Sequence, residues 1–226
     1  YRYPIDTLYF VSAKLYHYSY EGGDSLKKIL LLLADGFESY EASVFTDVFG
    51  WNLYEGNRQT ELFSVGLHDT LKCTWGYSCV PNYQLSEINL DDYDALAIPG
   101  GFEEADFYAD AFDEQFLNVI RYFDSRNKPI AAICVAALSL GKSGVLKGRS
   151  ATTYYYPNNP RQKQLEDFGA IVLKKKSIVV DRNIITSSSP ATALDVAFWL
   201  LEQLTTTQNL INIKTRMGFL APDSDE

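Results

Sequence analysis

One stretch limits the folds open to this chain more than any other: Pro129-Ile-Ala-Ala-Ile-Cys-Val-Ala-Ala-Leu-Ser-Leu-Gly141. Ile130 to Ile133 is a short apolar run, the pattern of a parallel strand buried on both faces. The alanine-rich run that follows at once reads as a helix. No Gly, Pro or Asn lies between them to relax the turn, so the junction residue itself must bend the chain sharply. That residue is Cys134. A cysteine so placed stands at the carboxyl end of a strand, where open α/β sheets bind ligands, and at the positive end of a helix. The placement is expected to favour the thiolate. The competing reading is a small buried apolar residue, which free cysteines usually are.

The rest of the chain alternates in the same way. Lys28 to Leu33 is a continuous apolar run and reads as a buried strand, followed by the turn Ala34-Asp-Gly36. Glu38 to Tyr54 carries Val44, Phe45, Val48 and Phe49 at helical spacing, with Gly56-Asn57 as its stop. Strands are expected over Glu61–Val65, Tyr93–Ile98, Arg149–Tyr156, Ala170–Leu173, Ile178–Val180 and Ile184–Ser187. Helices are expected over Asp113–Arg126, Arg161–Phe168 and Ala191 to about Leu204, the last capped by Ser189 with Pro190 at its first position. Leu71 to Tyr83, rich in aromatic, β-branched and turn residues, reads as a hairpin or arm. The pattern implies an α/β fold: a doubly wound, mostly parallel sheet sandwiched by helices, with a small hairpin inserted. Residues 26–204 form the domain, residues 1–25 an extra Tyr-rich N-terminal segment, and residues 205–226 a C-terminal extension whose acidic end is expected to be disordered.

Composition excludes several functions. The 226 residues carry a net charge of −9, which argues against non-specific nucleic-acid binding. The apolar runs are too short to span a bilayer. Three cysteines, Cys73, Cys79 and Cys134, argue against a disulfide framework and suit a reducing, cytoplasmic setting. His17 and His68 lie in no motif, and no metal site is expected. Gly141-Lys-Ser143 looks like the tail of a phosphate loop, but Ala136 stands where that loop needs glycine, and no nucleotide cofactor is expected.

Two further features are compatible with a site. Pro99-Gly100-Gly101 ends a strand and allows backbone to approach a ligand closely. Glu38 and Glu41 open the first helix. They complement its dipole, or Glu41 faces inward, where a carboxyl near a thiolate would be protonated and donate to it.

Taken in order, LLLLADGFESYE (residues 30–41), DALAIPGG (94–101), PIAAICVAALSL (129–140) and VDRNIITSSSPATALDVA (180–197) resemble the DJ-1/ThiJ/PfpI superfamily, more closely its DJ-1-like branch. The resemblance spans about residues 28 to 204. It implies a flavodoxin-like fold, a homodimer, Cys134 as elbow nucleophile, Glu41 as the family's glutamate, and Gly101 and Val135 as donors of oxyanion-hole amides, with Gly100, Tyr154 and Ser189 lining the pocket. It implies chemistry on small α-oxoaldehydes without a cofactor, or a redox-responsive stress protein with no turnover, or, most weakly, a cysteine peptidase. The expected partner is a small carbonyl substrate or an oxidant, with neither nucleic acid nor membrane. Departures accompany the resemblance. Tyr154 takes the place of the DJ-1-like histidine, Val135 that of the PfpI-like histidine, and Ser188 that of an arginine before the last helix.

Overall fold

The computed structural model describes residues 26–221. Its centre is a seven-stranded sheet in the order β10-β11-β7-β6-β1-β2-β5. These strands are β1 (Lys27–Leu33), β2 (Thr60–Gly66), β5 (Tyr83–Gln84), β6 (Ala95–Ile98), β7 (Ile130–Ala132), β10 (Ile178–Asp181) and β11 (Ile184–Ser187). All pair in parallel except β10, which returns antiparallel on β11. The central strands are short and almost wholly apolar because helices cover both faces and leave no side for water. Ile29 to Leu33, Ala95 to Ile98 and Ile130 to Ile133 are all buried.

One face carries α1 (Ser39–Glu55), α6 (Ala193–Leu204) and α7 (Thr207–Arg216), which pack on one another. The other carries α2 (Phe107–Ala111), α3 (Glu114–Ser125), α4 (Ala136–Ser143) and α5 (Arg161–Asp167). Helix α3 buries the Phe116, Leu117, Ile120 and Phe123 side of an otherwise polar helix. The chain leaves β1 toward β2 on one side and returns through β6 on the other. The sheet therefore changes winding direction between β1 and β6, the place where open α/β sheets form a crevice at their carboxyl edge.

The expected arm is a hairpin of β3 (Leu71–Lys72) and β4 (Ser78–Cys79) that stands off the main sheet. The expected strand over Arg149–Tyr156 is reduced to β8 (Ser150–Ala151), paired with β9 (Ile171–Val172). Beyond it side chains replace the ladder: Thr152 N–H donates to Thr186 Oγ1 at 2.9 Å, and Thr152 Oγ1 donates to the Lys176 carbonyl at 2.9 Å. Ser189 does not cap with its side chain. Pro190–Thr192 is a 3-10 turn, and the Ser189 carbonyl accepts from Thr192 Oγ1 at 2.7 Å before α6 begins. Helices α2 and α7 have no strong sequence pattern. Helix α7 docks through Leu210 and Ile213, and Asn209 Nδ2 donates to buried Asn52 Oδ1 of α1 at 2.7 Å. The Tyr-rich residues 1–25, His17 among them, and the acidic end of the tail lie outside the described residues. No helix among the described residues is long and apolar enough to cross a membrane.

Candidate functional site

The carboxyl ends of β1, β6 and β7 converge on Cys134. The elbow expected from sequence is present: Cys134 has φ +56 while Val135 has already turned to helical values. A side chain in this left-handed region costs about 1–2 kcal/mol, so the surroundings must hold it. Thr153 Oγ1 donates to the Cys134 carbonyl at 2.9 Å, and Ala136 N–H closes the turn onto the Ile133 carbonyl at 3.0 Å. Cys134 is only 8% exposed.

Glu41 reaches this point from the first turn of α1 and is completely buried. Gly100 N–H donates to its Oε2 at 2.7 Å. A Cβ on Gly100 would sit 2.8 Å from that oxygen and 3.1 Å from the Ile133 carbonyl, which is why only glycine fits between β6 and the elbow. The other oxygen, Oε1, has no hydrogen-bond partner by geometry, although the Cys134 thiol is near enough for the two groups to perturb each other's titration. Glu38 and Glu41 thus divide the two roles weighed from sequence. Glu38 is the cap: its Oε2 accepts from Glu41 N–H at 2.8 Å, and its Oε1 accepts from Trp75 Nε1 at 2.9 Å. Trp75 comes from the β3–β4 hairpin, is 64% exposed, and leans on Phe102 with ring centroids 5.4 Å apart. The hairpin therefore supplies an aromatic rim beside the site.

The electrostatics correct one expectation. Burial pushes the Glu41 carboxyl up to about 8, with Glu38 adding to the rise, against the opposing pull of the Gly100 N–H. Glu41 is thus mostly protonated at neutral pH, as a carboxyl beside a sulfur should be. Cys134, however, is not poised as a ready thiolate. Burial, and then the neighbouring Glu41 charge, push its thiol well above the usual cysteine range, and the Val135 N–H only partly opposes them. Strand end, helix start and an inward-facing Glu41 were visible in sequence; the loss of solvent around the thiol was not. The pair shares protons rather than holding a free anion.

The other sequence-derived residues fall into place unevenly. Val135 directly follows Cys134 ahead of α4, and its N–H acts on the thiol, whereas Gly101 follows Gly100 beyond β6. A Cβ on Gly101 would strike the Phe107 ring at 2.3 Å and the Gly36 carbonyl at 2.4 Å, so its backbone is pressed into the site wall. Tyr154 is half-buried against the core, and its hydroxyl bonds nothing among the described residues; its neighbour Thr153 is the one that touches the elbow. Ser189 lies at the start of the turn into α6 and makes no bond to Cys134 or Glu41. Two residues were missed. Tyr108 of α2 has a buried hydroxyl without a partner, and burial together with the Cys134 charge drives its phenol up while Arg161 opposes. The Arg161 guanidinium lies 5.1 Å from the Tyr108 ring centroid and pairs with Glu103 at 2.6 Å. Tyr108 has no sequence signal, since α2 is five residues long, and Arg161 opens the expected helix α5 without any motif of its own. Cys73 and Cys79 are free thiols in or beside the hairpin. No group of three His, Cys, Asp or Glu side chains among the described residues is arranged to hold a metal ion.

Comparison with known proteins agrees with this fold. Residues 27–203 match the model of the DJ-1/PfpI family. The chain is 35% identical over 185 residues to Protein DJ-1alpha of Drosophila melanogaster, covering 79% of this chain and 77% of that one. It is 29% identical over 180 residues to dj-1beta of the same organism, covering 79% and 89%. Among solved structures it is similar to Drosophila melanogaster DJ-1beta, with a TM-score of 0.73 at 26% identity over 86% of this chain and 98% of that one. It is also similar to Schizosaccharomyces pombe DJ-1, with a TM-score of 0.70 at 26% identity over 84% and 98%.

Proposed function

The chain belongs to the DJ-1/PfpI family, and from that premise we propose that it acts on small α-oxoaldehydes through Cys134, with Glu41 as the proton shuttle. The observation that carries this reading is the pairing of a strained elbow thiol with a fully buried carboxyl that titrates near neutrality. In the proposed reaction the Cys134 sulfur bonds to the aldehyde carbon, the C=O π bond opens, and the thiol proton passes by way of Glu41 to the new hydroxyl. The Gly101 and Val135 amides face the oxygen as charge develops on it. Glu41 then moves the proton of the former aldehyde carbon to the adjacent carbon, and the hydroxyl proton of the hemithioacetal passes to the second carbonyl oxygen. The former aldehyde carbon is oxidised to a thioester and its neighbour reduced to an alcohol, so no external oxidant is needed. Water releases a 2-hydroxy acid and restores the thiol.

A carboxyl with a value of about 8 has an affinity suited to giving and taking protons near pH 7, which compensates for the absent histidine. Tyr154 is not required as a base. The test is consumption of methylglyoxal and appearance of lactate with wild type, Cys134→Ala and Glu41→Gln. Wild-type turnover that both substitutions abolish is expected, and wild-type protein without turnover would refute the reading.

A second reading is favoured by one observation, the unpartnered Oε1 of Glu41. A protonated carboxyl there would donate to an oxygen on an oxidised Cys134, which suits a redox-responsive protein without turnover. Peroxide titration followed by mass spectrometry distinguishes it: one or two oxygens should accumulate on Cys134, and fewer in Glu41→Gln. With either reading we propose a cytoplasmic homodimer with no nucleic-acid or membrane partner. A monomer in sedimentation at micromolar concentration would refute the dimer.

A further inference from the structure

We propose that Trp75 of the β3–β4 hairpin is a positioning residue for the Glu41–Cys134 pair: its indole N–H holds the Glu38 carboxylate, and Glu38 holds the helix turn that carries Glu41. The inference deepens the reading of Glu41 as proton carrier by naming what fixes it. Two hydrogen bonds make the link. Trp75 Nε1 donates to Glu38 Oε1 at 2.9 Å, and Glu41 N–H donates to Glu38 Oε2 at 2.8 Å. Capping a helix needs only one side-chain oxygen, which Asn, Asp, Ser or Thr supplies as well. Here the cap is a glutamate whose second oxygen is met by a tryptophan 37 positions along the chain. An ionised carboxylate only accepts, and this one, 6% exposed, has a donor at each oxygen. Capping alone does not ask for that arrangement; holding a negative charge in place beside Glu41 does.

The hairpin is pinned to the same segment. Thr74 N–H donates to the Phe37 carbonyl at 2.8 Å, Thr74 Oγ1 to the Gly36 carbonyl at 2.6 Å, and Gly36 N–H to the Lys72 carbonyl at 2.8 Å. Gly76, at φ +95, turns the chain just after Trp75, and its N–H closes onto the Cys73 carbonyl at 2.9 Å. The indole packs on Phe102, two residues beyond Gly100. Glu38 is tied through its backbone as well: its N–H donates to the Gly100 carbonyl at 2.7 Å, and Gly100 N–H donates to Glu41 Oε2 at 2.7 Å. A Cβ on Gly100 would lie within 3.1 Å of Glu41 Oε2, the Ile133 carbonyl and the Val135 side chain, so the carboxyl stands against the two residues that bracket Cys134. Trp75, Glu38, Gly100 and Glu41 therefore form one connected set of hydrogen bonds that ends at the elbow.

The effect on the chemistry follows from charge. Glu41 is faced by Glu38 on its own helix, by Cys134 from the elbow and by the Gly100 N–H from the end of β6, and no cation among the described residues pairs with it. A negative charge held beside Glu41 favours the proton on its carboxyl, in the same direction as burial. Without the indole N–H, Glu38 Oε1 has to be met by water, and the side chain swings toward solvent, where its charge is screened. Glu41 then loses both its fixed helix turn and part of what keeps its proton. Trp75 is largely exposed, so this loss does not come from emptying the core.

Carboxyl 13C NMR of the full chain labelled at glutamate tests this, with the Glu41 signal assigned by its disappearance in Glu41→Gln. In wild type the signal should titrate at about 8. Trp75→Phe keeps an aromatic ring against Phe102 but removes the N–H, and its Glu41 midpoint should fall by about one pH unit, the scale of one neighbouring charge near a surface. Glu38→Gln should lower the midpoint as well, and the double variant no further, because Trp75 acts through the Glu38 carboxylate. A merely structural Trp75 would shift the denaturation midpoint and leave the Glu41 titration where it is. Should Trp75→Phe fail to fold, wild type carries the test: the Trp75 indole 15N signal should shift with the Glu41 midpoint and stay flat in Glu38→Gln. An unmoved Glu41 midpoint in Trp75→Phe, an additive fall in the double variant, a flat indole signal in wild type, or a wild-type midpoint near 4.5 would each overturn the proposal. Lactate formation by wild type is read separately. A Trp75-dependent titration without turnover keeps this inference and defeats the catalytic reading, and turnover with a Trp75-independent titration does the reverse.

Discussion

The two ends of β7 bury charge in opposite ways. At the amino end Arg149, 4% exposed, donates to Asp124 at 2.8 Å, to Asn183 Oδ1 at 3.1 Å and to the Asp181 carbonyl. Burial works against a charged Asp181, but the Ser150 amide and Arg149 outweigh it and hold its carboxyl below the usual range. Asn183 Nδ2 adds a bond to the Lys128 carbonyl at 3.0 Å. At the carboxyl end Glu41 and Cys134 are as deeply buried, but no cation pairs with the carboxyl, whose charged neighbour is Glu38. The first cluster uses its polarity to join α3, β8 and the β10–β11 turn. The second leaves a buried carboxyl without an opposite charge, and a folded protein carries that cost where a ligand is to be met. Burial alone does not distinguish structure from site; the presence or absence of an opposite charge on the buried group does.

The comparison breaks most visibly under the bluntest substitutions. Cys134→Ala should abolish methylglyoxal consumption while moving stability by no more than about 1 kcal/mol, because it removes one small atom group from a pocket wall. Arg149→Ala should do the converse. Denaturant titration should find a loss of about 1–3 kcal/mol, since it removes a buried guanidinium together with its bonds to the partly exposed Asp124 and Asp181, and the folded fraction should label at Cys134 as wild type does. If Arg149→Ala instead slows Cys134 without destabilising the fold, the two ends are not separate in function.

A gentler test uses pH. Glu41 holds its proton to about 8 when folded, against an ordinary value of 4.5. Between those limits the native state keeps a proton that the unfolded chain releases, so the contribution of Glu41 is fully present below about 4.5 and is lost as pH rises through about 8. The stability of wild type relative to Glu41→Gln should therefore fall with rising pH in that window, by at most about 1.4 kcal/mol per unit. A difference independent of pH there would show that Glu41 is charged in the folded protein. The smallest effect is expected at Tyr154, whose hydroxyl bonds nothing among the described residues. Tyr154→Phe should keep any turnover within about tenfold. A loss of about 10²–10⁴-fold, the usual contribution of a general base, would restore Tyr154 to the mechanism.

What the sequence by itself determined is local and periodic. The apolar run into Cys134 foretold the elbow because a strand ending and a helix beginning within one residue leave no other conformation for it. The runs of β1, β6 and β7 were legible because strands covered on both faces must be apolar throughout, and the glycines after β6 because backbone must pass between Glu41 and the elbow. The tertiary structure decided what depends on groups distant in the chain. Burial raises the proton affinity of both Glu41 and Cys134, and Glu41 raises that of Cys134 further, because 93 positions of chain fold to bring them together in the absence of water. Tyr108 and Arg161 carry no signal in their own short helices; their contact arises from where those helices lie. The same holds for the shortened β8, where Thr152 finds its partners on β11 and the β9–β10 connection rather than along a strand. Periodicity reports which face of an element is dry, whereas protonation and specificity depend on which polar atoms meet in that dry space, and only the closed fold sets that.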